Sequence, residues 1–231
     1  MKDKLELLAS DHIFDRSDMK EAVYLKLKQM IMKRDFTPNE RIDPVEIAEK
    51  LGTSRTPVRD ALNMLDAEGF VTTMPRQGIY VKGIYKNDLI ELFHYREMIE
   101  LFAVEVGFNN LQLVVNEVVQ VVNNFEKLLS STNYDGNRVM EEDIKLHKLI
   151  VQSTINQKII TSYDKLNCHV QMARAYYIQD LHRMNNTHPE HKNFLEALLE
   201  GDKEKTKLRL KQHLDHTLEN LLKMIDIYKV F

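Results

Sequence analysis

One stretch of the chain, residues 53–69, limits the possible folds more than any other. At helical spacing its apolar residues lie on one face: Val58, Ala61, Leu62 and Leu65. The opposite face carries polar and basic residues: Arg55, Thr56, Arg59 and Asn63. The stretch is therefore predicted to form an amphipathic helix whose outer face can contact phosphates and base edges.

Both ends of this predicted helix carry stop signals. Thr53 and Ser54 stand just before it as candidate N-caps, and Pro57 lies in the first turn, where its missing N–H costs little. Gly69 follows as a candidate C-cap. We interpret the bounded helix as a recognition helix.

The flanking segments complete a DNA-binding fold. A supporting amphipathic helix is predicted at residues 18–33, and a short helix from Pro44 to Leu51 is followed by a turn at Gly52. After the recognition helix, two β-type runs at residues 70–74 and 78–82 flank a tip that contains Arg76. A helix-turn-helix followed by a hairpin is a winged helix.

The charge distribution argues for a local and not a general nucleic-acid contact. The formal net charge is −3, with 14 basic and 14 acidic residues up to residue 82 and 18 and 21 after it. Because the net field does not attract DNA, any contact must come from a basic patch.

The chain has the features of a cytoplasmic protein with no membrane association. Its single cysteine, Cys168, cannot form an internal disulfide, which fits a reducing compartment. No basic-then-apolar signal peptide opens the chain, and the most apolar run, residues 111–122, is too short and too polar to span a bilayer.

Everything after residue 87 is predicted to be helical. The expected helices occupy residues 88–108, 111–130, 134–152, 157–180, 189–200 and 202–228, with breaks at Asn109-Asn110, Asn185-Asn186 and Gly201 among others. We expect a mainly α protein: an arm at 1–16, a winged helix-turn-helix at 17–82, a linker at 83–87, and a six-helix antiparallel bundle for ligand binding and dimerisation at 88–231.

Four residues with metal-ligating side chains fall on inward faces of this bundle. Asp143 and His147 lie one turn apart on the apolar side of their helix, and His191 and His213 are in phase with leucines on two others. Buried charged groups are usually paired or bound to metal. Each histidine alone could have a structural or surface role, but the shared inward phase favours a metal site.

The donor set limits the metal. Three imidazoles and one carboxylate suit zinc, which we take first, or nickel, iron or manganese at higher coordination.

Two arginines are candidates for binding an anionic ligand. Arg96 lies on or near the apolar face of the helix that opens the bundle, where it could form an internal ion pair with Glu100 or clamp an effector carboxylate. Arg174 is in phase with apolar residues of the fourth bundle helix and is the second candidate.

The first part of the chain resembles the GntR superfamily of bacterial transcription regulators. The resemblance rests on Ser-Arg-Thr-Pro-Val-Arg-Asp-Ala-Leu at residues 54–62, Leu65, Glu-Gly-Phe-Val at residues 68–71, and Gly78. It implies that the recognition helix and the wing contact DNA through the following residues: Ser54, Arg55, Thr56, Arg59 and Gly78. We expect Arg76 at the wing tip to enter or flank the minor groove.

The second part resembles the FadR C-terminal ligand-binding domain, or FCD, of one GntR subfamily. The matching positions are Arg96, Glu100, Asp143, His147, His191, Gly201-Asp202 and His213-Leu214. The resemblance implies a divalent metal held by the aspartate and three histidines. It also implies a small carboxylate or sugar-acid effector at or beside that metal.

These features together predict a homodimeric regulator that binds a palindromic operator. The resemblance implies repression, the commoner direction in that family, and control by a small organic acid. Two half-sites are expected because one short helix makes too few contacts for tight specific binding. Two alternatives stay open: a metal-dependent hydrolase, which four protein ligands and the lack of a general base disfavour, and a regulator whose metal is purely structural.

Overall fold

A computed structural model of the chain describes residues 16–32, 35–83, 85–131, 136–175 and 181–228. It divides the chain into two compact units, Met1–Lys82 and Gly83–Phe231. The architecture is mainly helical, with one small sheet in the first unit. The predicted fold class, a winged helix-turn-helix followed by an all-helical domain, is confirmed.

The first unit contains three helices and three short strands in its described part. In chain order they are α1 (Arg16–Met32), β1 (Arg41–Ile42), α2 (Pro44–Leu51), α3 (Arg55–Ala67), β2 (Val71–Met74) and β3 (Gly78–Val81). The strands form an antiparallel sheet in the order β1-β3-β2. The sequence interpretation missed β1, because two residues are too short to show alternation.

The recognition helix α3 is held by its apolar face. Val58, Ala61, Leu62 and Leu65 are all fully buried. Full burial of such a side chain contributes about 1.5–3 kcal/mol for the larger residues. At the end of α3, Glu68 accepts hydrogen bonds from Tyr24 Oη at 2.6 Å and Lys28 Nζ at 2.8 Å, and these bonds fix α1 against the recognition helix.

The two helices of the helix-turn-helix begin differently. The Asp43 carboxylate accepts the Val45 N–H at 2.8 Å and caps α2, and Gly52 ends α2 in the left-handed region, where glycine is favoured. Ser54 occupies the N-cap position of α3, as predicted, but its side chain makes no capping bond. The Ser54 hydroxyl therefore does not cap the recognition helix.

The second unit contains six helices in its described part. They are α4 (Lys86–Leu113), α5 (Val115–Leu129), α6 (Gly136–Gln152), α7 (Gln157–Ala175), α8 (Leu181–Leu199) and α9 (Lys203–Tyr228). Their apolar faces form a main core, which includes Ala103, Val104, Leu111, Ile150 and Leu198. A smaller apolar cluster contains Phe125 and Val139.

Two predicted helix breaks were wrong. Helix α4 continues through Asn109-Asn110 because Leu111 is fully buried beyond them, and because Asn110 Nδ2 donates to the Ser153 carbonyl at 2.8 Å. Helix α8 starts at Leu181, passes through Asn185-Asn186 and contains the exposed Pro189. Asparagine is a weak helix breaker, so a buried apolar face outweighs it.

Among the described residues, no single helix is long and apolar enough to cross a membrane. Helices α4 and α5 taken together are long and apolar enough, but the chain bends by 94° between them.

Candidate metal centre and DNA-binding surface

Three helices bring the four predicted metal ligands together. Helix α6 supplies Asp143 and His147 one turn apart, α8 supplies His191, and α9 supplies His213. All four side chains are buried, and one ligand atom from each lies within 4.8 Å of the others. All four side chains point into the bundle, as their helical phase in the sequence predicts.

The ring nitrogens and the carboxylate face one another closely. His147 Nε2 lies 3.2 Å from His213 Nε2, and His191 Nε2 lies 3.3 Å from Asp143 Oδ1. The distance from His147 Nε2 to Asp143 Oδ1 is 3.8 Å. These separations define one small polar centre inside the helical domain.

Two glutamates set the orientation of two imidazoles. Glu100 Oε2 lies 2.7 Å from His147 Nδ1, and Glu190 Oε2 lies 2.9 Å from His213 Nδ1. An ionised carboxylate only accepts hydrogen bonds, so each imidazole donates its Nδ1–H outward. The lone pairs on both Nε2 atoms then point at the centre and at each other.

This arrangement fits a divalent metal ion. Inward lone pairs 3.2 Å apart repel each other, and a cation between donors removes that repulsion. Carboxylates behind imidazole ligands are the usual outer partners in metal sites, where they fix the tautomer and raise ligand basicity. Three nitrogen donors and one oxygen donor match the preferences of zinc, and also of nickel, iron and manganese.

A buried ionic network lies behind His147. Glu100 is fully buried and accepts hydrogen bonds from Arg96 Nε, from Tyr163 Oη at 2.7 Å, and from His147. Burial acts to raise the pKa of the Glu100 carboxyl, but the Arg96 charge and the hydrogen bonds from His147 and Tyr163 outweigh it and lower the pKa to about 2. Burial lowers the pKa of His147, which favours the neutral imidazole that a metal requires.

The two predicted effector-binding arginines have different outcomes. Arg96 forms the internal ion pair with Glu100, while its Nη1 atom is buried and has no hydrogen-bond partner among the described residues. The side chain of Arg174 lies outside the described residues.

Sequence reasoning missed Glu190 and Tyr163 as parts of the site. Glu190 also contacts His216 Nδ1 at 2.8 Å. Its position directly before His191 in the sequence was the one available indication that it belongs to the site. Tyr163 gave no signal, because a single tyrosine on a helical apolar face is ordinary core composition.

The predicted DNA contacts are at the start of α3 and at the wing. Ser54, Arg55, Thr56 and Arg59 are exposed, as is Arg76 between β2 and β3. Within the described parts of the chain, these three arginines make no ion pair with an acidic side chain. Gly78 adopts φ +128°, which L side chains rarely adopt.

A winged helix with an exposed basic face, followed in the chain by a helical domain with a buried Asp/His cluster, is the arrangement of a DNA-binding transcription regulator with a separate helical second domain. Residues 19–81 match the pattern of the bacterial regulatory proteins of the gntR family, and residues 91–216 match that of the FCD domain. The chain therefore belongs to the GntR family of transcriptional regulators, in the group that carries an FCD domain. These families and their named relatives are regulators and not enzymes.

Similar proteins extend along most of the chain. An uncharacterized HTH-type transcriptional regulator, YdhC of Bacillus subtilis (strain 168), is 26% identical over 210 residues, which cover 88% of this chain and 91% of that protein. The Nta operon transcriptional regulator of Aminobacter aminovorans is 26% identical over 199 residues, covering 85% and 91%. The solved structure of E. coli McbR/YncC has the same fold, with a TM-score of 0.72 at 20% identity over 89% of this chain and 97% of that one.

Proposed function

We propose that this regulator acts as a homodimeric, metal-containing repressor whose binding to a palindromic operator is controlled by a small carboxylate effector. The observation that carries the proposal is the buried cluster of Asp143, His147, His191 and His213, with ligand atoms within 4.8 Å of one another. An FCD domain with this donor set is the sensor half of such a protein, and the winged helix is its output half.

DNA recognition is assigned to α3 and the wing. Arg55 and Arg59 contact base edges or phosphates, Ser54 and Thr56 donate to phosphates, and Arg76 lies in or beside the minor groove next to Gly78. The support is that these side chains are exposed and that the three arginines have no acidic partner in the described structure. Arginine is the side chain best suited to two-point contacts with guanine or phosphate.

The effector is assigned to the metal centre and its surroundings. A bound metal supplies positive charge that attracts a carboxylate. Arg96 supports the same ligand class, because its buried Nη1 has no partner in the described structure while its Nε is held by Glu100. A carboxylate that reaches Nη1 completes the guanidinium hydrogen bonds and is linked through Glu100 to His147. Arg174 remains the second candidate on the sequence argument alone.

Dimerisation is assigned to the outer face of α4. Five large apolar side chains share one stripe on this helix and are exposed: Tyr95, Met98, Phe102, Val106 and Leu113. At 1.5 Å per residue the stripe extends for about 27 Å. An exposed apolar stripe, interrupted here at Asn109, marks an association surface. Two half-sites in a palindrome require two copies of the winged helix.

Control of DNA binding requires that the effector bind one arrangement of the dimer better than another. Metal and effector dependence can be tested by thermal unfolding of the full-length protein. A panel of small mono-, di- and tricarboxylates and sugar acids is added to the metal-loaded and the chelator-treated protein.

We expect at least one carboxylate to raise the Tm of the loaded protein and to have no effect after metal removal or in Arg96→Met. If the metal is only structural, chelation lowers the Tm but every carboxylate response is the same with and without metal.

The DNA-binding assignment has its own test. Selection of duplexes from a random library by the full-length protein is expected to return a palindromic site. Arg59→Ala is expected to weaken binding to that site by about 1–3 kcal/mol. Unchanged affinity would count against the assigned recognition face.

A further inference from the structure

Arg41 lies beside the wing, and no sequence pattern assigns it a role. Arg41 is in β1, where it is opposite Tyr80 of β3, and Ile42 is opposite Ile79. Ile42 is buried and Arg41 is exposed, as strand alternation requires. The Arg41 side chain therefore lies on the outer surface of the sheet that forms the wing.

The guanidinium of Arg41 covers Gly78. A Cβ added at Gly78 would lie 2.8 Å from Arg41 Nε and 3.6 Å from both Cδ and Cζ. Any side chain at position 78 would displace the arginine. Gly78 thus has two functions in the fold: it adopts φ +128° at the start of β3, and it leaves room for the Arg41 side chain against the wing.

The positive charge of Arg41 is not neutralised by the carboxylates that are nearest in the chain. Glu40 accepts hydrogen bonds from Thr37 N at 2.7 Å and Thr37 Oγ1 at 2.9 Å, and Asp43 caps α2 through Val45 N. Arg41 makes no hydrogen bond or ion pair with any residue that the structure describes. In the same unit, Lys28 is paired with Glu68 at 2.8 Å.

An exposed arginine held in place against a wing, with its donors free, has the properties of a phosphate ligand. Its stem lies against Gly78, where the wing backbone limits the directions that the guanidinium can take, so less side-chain entropy is lost when it binds an anion. Arg76 precedes Gly78 by two residues, so both guanidinium groups belong to the same wing. A wing with two such cations can hold the DNA backbone beside the groove that its tip approaches.

We propose that Arg41 contacts a DNA phosphate beside the wing, and that Gly78 is required because it positions this arginine. This inference rests on the proposed role of α3 and the wing in DNA binding. It adds a sequence-independent contact to that surface, so Arg41 contributes to affinity for any duplex and not to the choice of operator.

The test is the salt dependence of binding to a fluorescently labelled duplex of unrelated sequence, measured with the full-length protein and three variants. Arg41→Met keeps the aliphatic stem over Gly78 and removes the charge. Arg138→Met, at an exposed position of α6, is the matched control. Arg59→Ala is measured in addition on the selected palindromic duplex, where it tests the underlying DNA-binding surface. Thermal unfolding of each variant reports on folding.

We expect Arg41→Met to bind the duplex more weakly and to lower the slope of log affinity against log salt by about 0.9, the value for one lost phosphate contact. Arg138→Met should match the wild type, and the Tm of Arg41→Met should be unchanged. An unchanged slope in Arg41→Met together with a reduced affinity in Arg59→Ala would overturn the Arg41 contact alone. If neither variant differs from the wild type, the proposed DNA-binding surface fails as well.

Discussion

Glu100 and Glu190, which accept hydrogen bonds from His147 and His213, differ in burial and in their other partners. Glu100 is fully buried, and it is bound by Arg96, Tyr163 and His147 at once. Glu190 is partly exposed and holds His213 on one oxygen and His216 on the other. Glu100 is therefore part of the core, and removing its charge would leave Arg96 buried without a counter-ion. Glu190 can be changed with less risk to the fold.

The first prediction concerns Glu190. In Glu190→Gln the neutral amide is a poorer acceptor for the Nδ1–H of His213, so this imidazole is a less basic and less well oriented ligand. We expect metal affinity to fall by about 10- to 100-fold with little change in thermal stability. Competition with a chromophoric chelator measures the affinity, and Glu196→Gln, an exposed position on the same helix, is the control. Equal affinity in the two variants would contradict the role of Glu190.

Among single residues, the sequence pattern was enough to predict the inward-facing ligand candidates, but not the side chains that hydrogen-bond to them. Asp143 and His147 are separated by one helical turn, and their phase relative to the apolar residues placed them inward. Glu190 and Tyr163 pair with residues 23 and 63 positions away. A carboxylate on a helix is usually solvated, so only the packing of α8 against α9 reveals that Glu190 reaches His213.

Helix α4 depends on a close approach that the sequence interpretation did not identify. A Cβ at Gly107 would lie 2.3 Å from Ser153 Oγ and 2.7 Å from both the carbonyl carbon and the oxygen of Ser153. One turn further along α4, Asn110 donates to the same carbonyl at 2.8 Å. The end of α6 is thus held directly against the backbone of α4, and α6 carries two of the proposed metal ligands.

The second prediction is that Gly107→Ala destabilises the protein even though alanine is the better helix former. The added methyl group meets backbone atoms, which cannot rotate away, so overpacking outweighs the gain in helix propensity of up to about 1 kcal/mol. We expect a net loss of about 1–3 kcal/mol in the free energy of unfolding, measured with urea. Asn123→Ala, at an exposed position of α5, should be neutral or slightly stabilising. A neutral Gly107→Ala would disprove the close contact.

Helices bounded by capping residues in the sequence were predicted well. Helices whose ends depend on packing in the core were not. Helix α2 occupies the predicted range from Pro44 to Leu51, with a capping aspartate before it and a left-handed glycine after it. The predicted breaks at Asn109-Asn110 and Asn185-Asn186 were wrong because local propensity is a weak guide when the helix continues into the core. Gly201, with φ +73°, does separate α8 from α9.

Within the described part of the single chain, the exposed apolar stripe on α4 has no contact that would explain its composition. Phe102 lies near its middle and is 49% exposed, while Ala103 and Val104 beside it in the sequence are fully buried. The same helix therefore has one face in the core and a second apolar face outside it. We attribute the second face to contact with another copy of the chain.

The third prediction is that Phe102→Glu separates the dimer. A carboxylate in the centre of an apolar interface must lose its hydration without a partner, and a second copy of the substitution adds like-charge repulsion. Sedimentation velocity should show a dimer for the wild type and a monomer for Phe102→Glu, with the helical content unchanged. Lys158→Glu, exposed on α7, should stay dimeric. A monomeric wild type, or a dimeric Phe102→Glu, would exclude this surface.

Binding of a metal ion by the cluster of Asp143, His147, His191 and His213 is the central claim for this protein. Metal analysis by inductively coupled plasma mass spectrometry tests this directly, using full-length protein that has been incubated with zinc and desalted. We expect about one ion per chain in the wild type. The double variant His147→Ala/His191→Ala should retain almost none while keeping its helical circular dichroism. Equal metal content in the wild type and a folded double variant would contradict the claim.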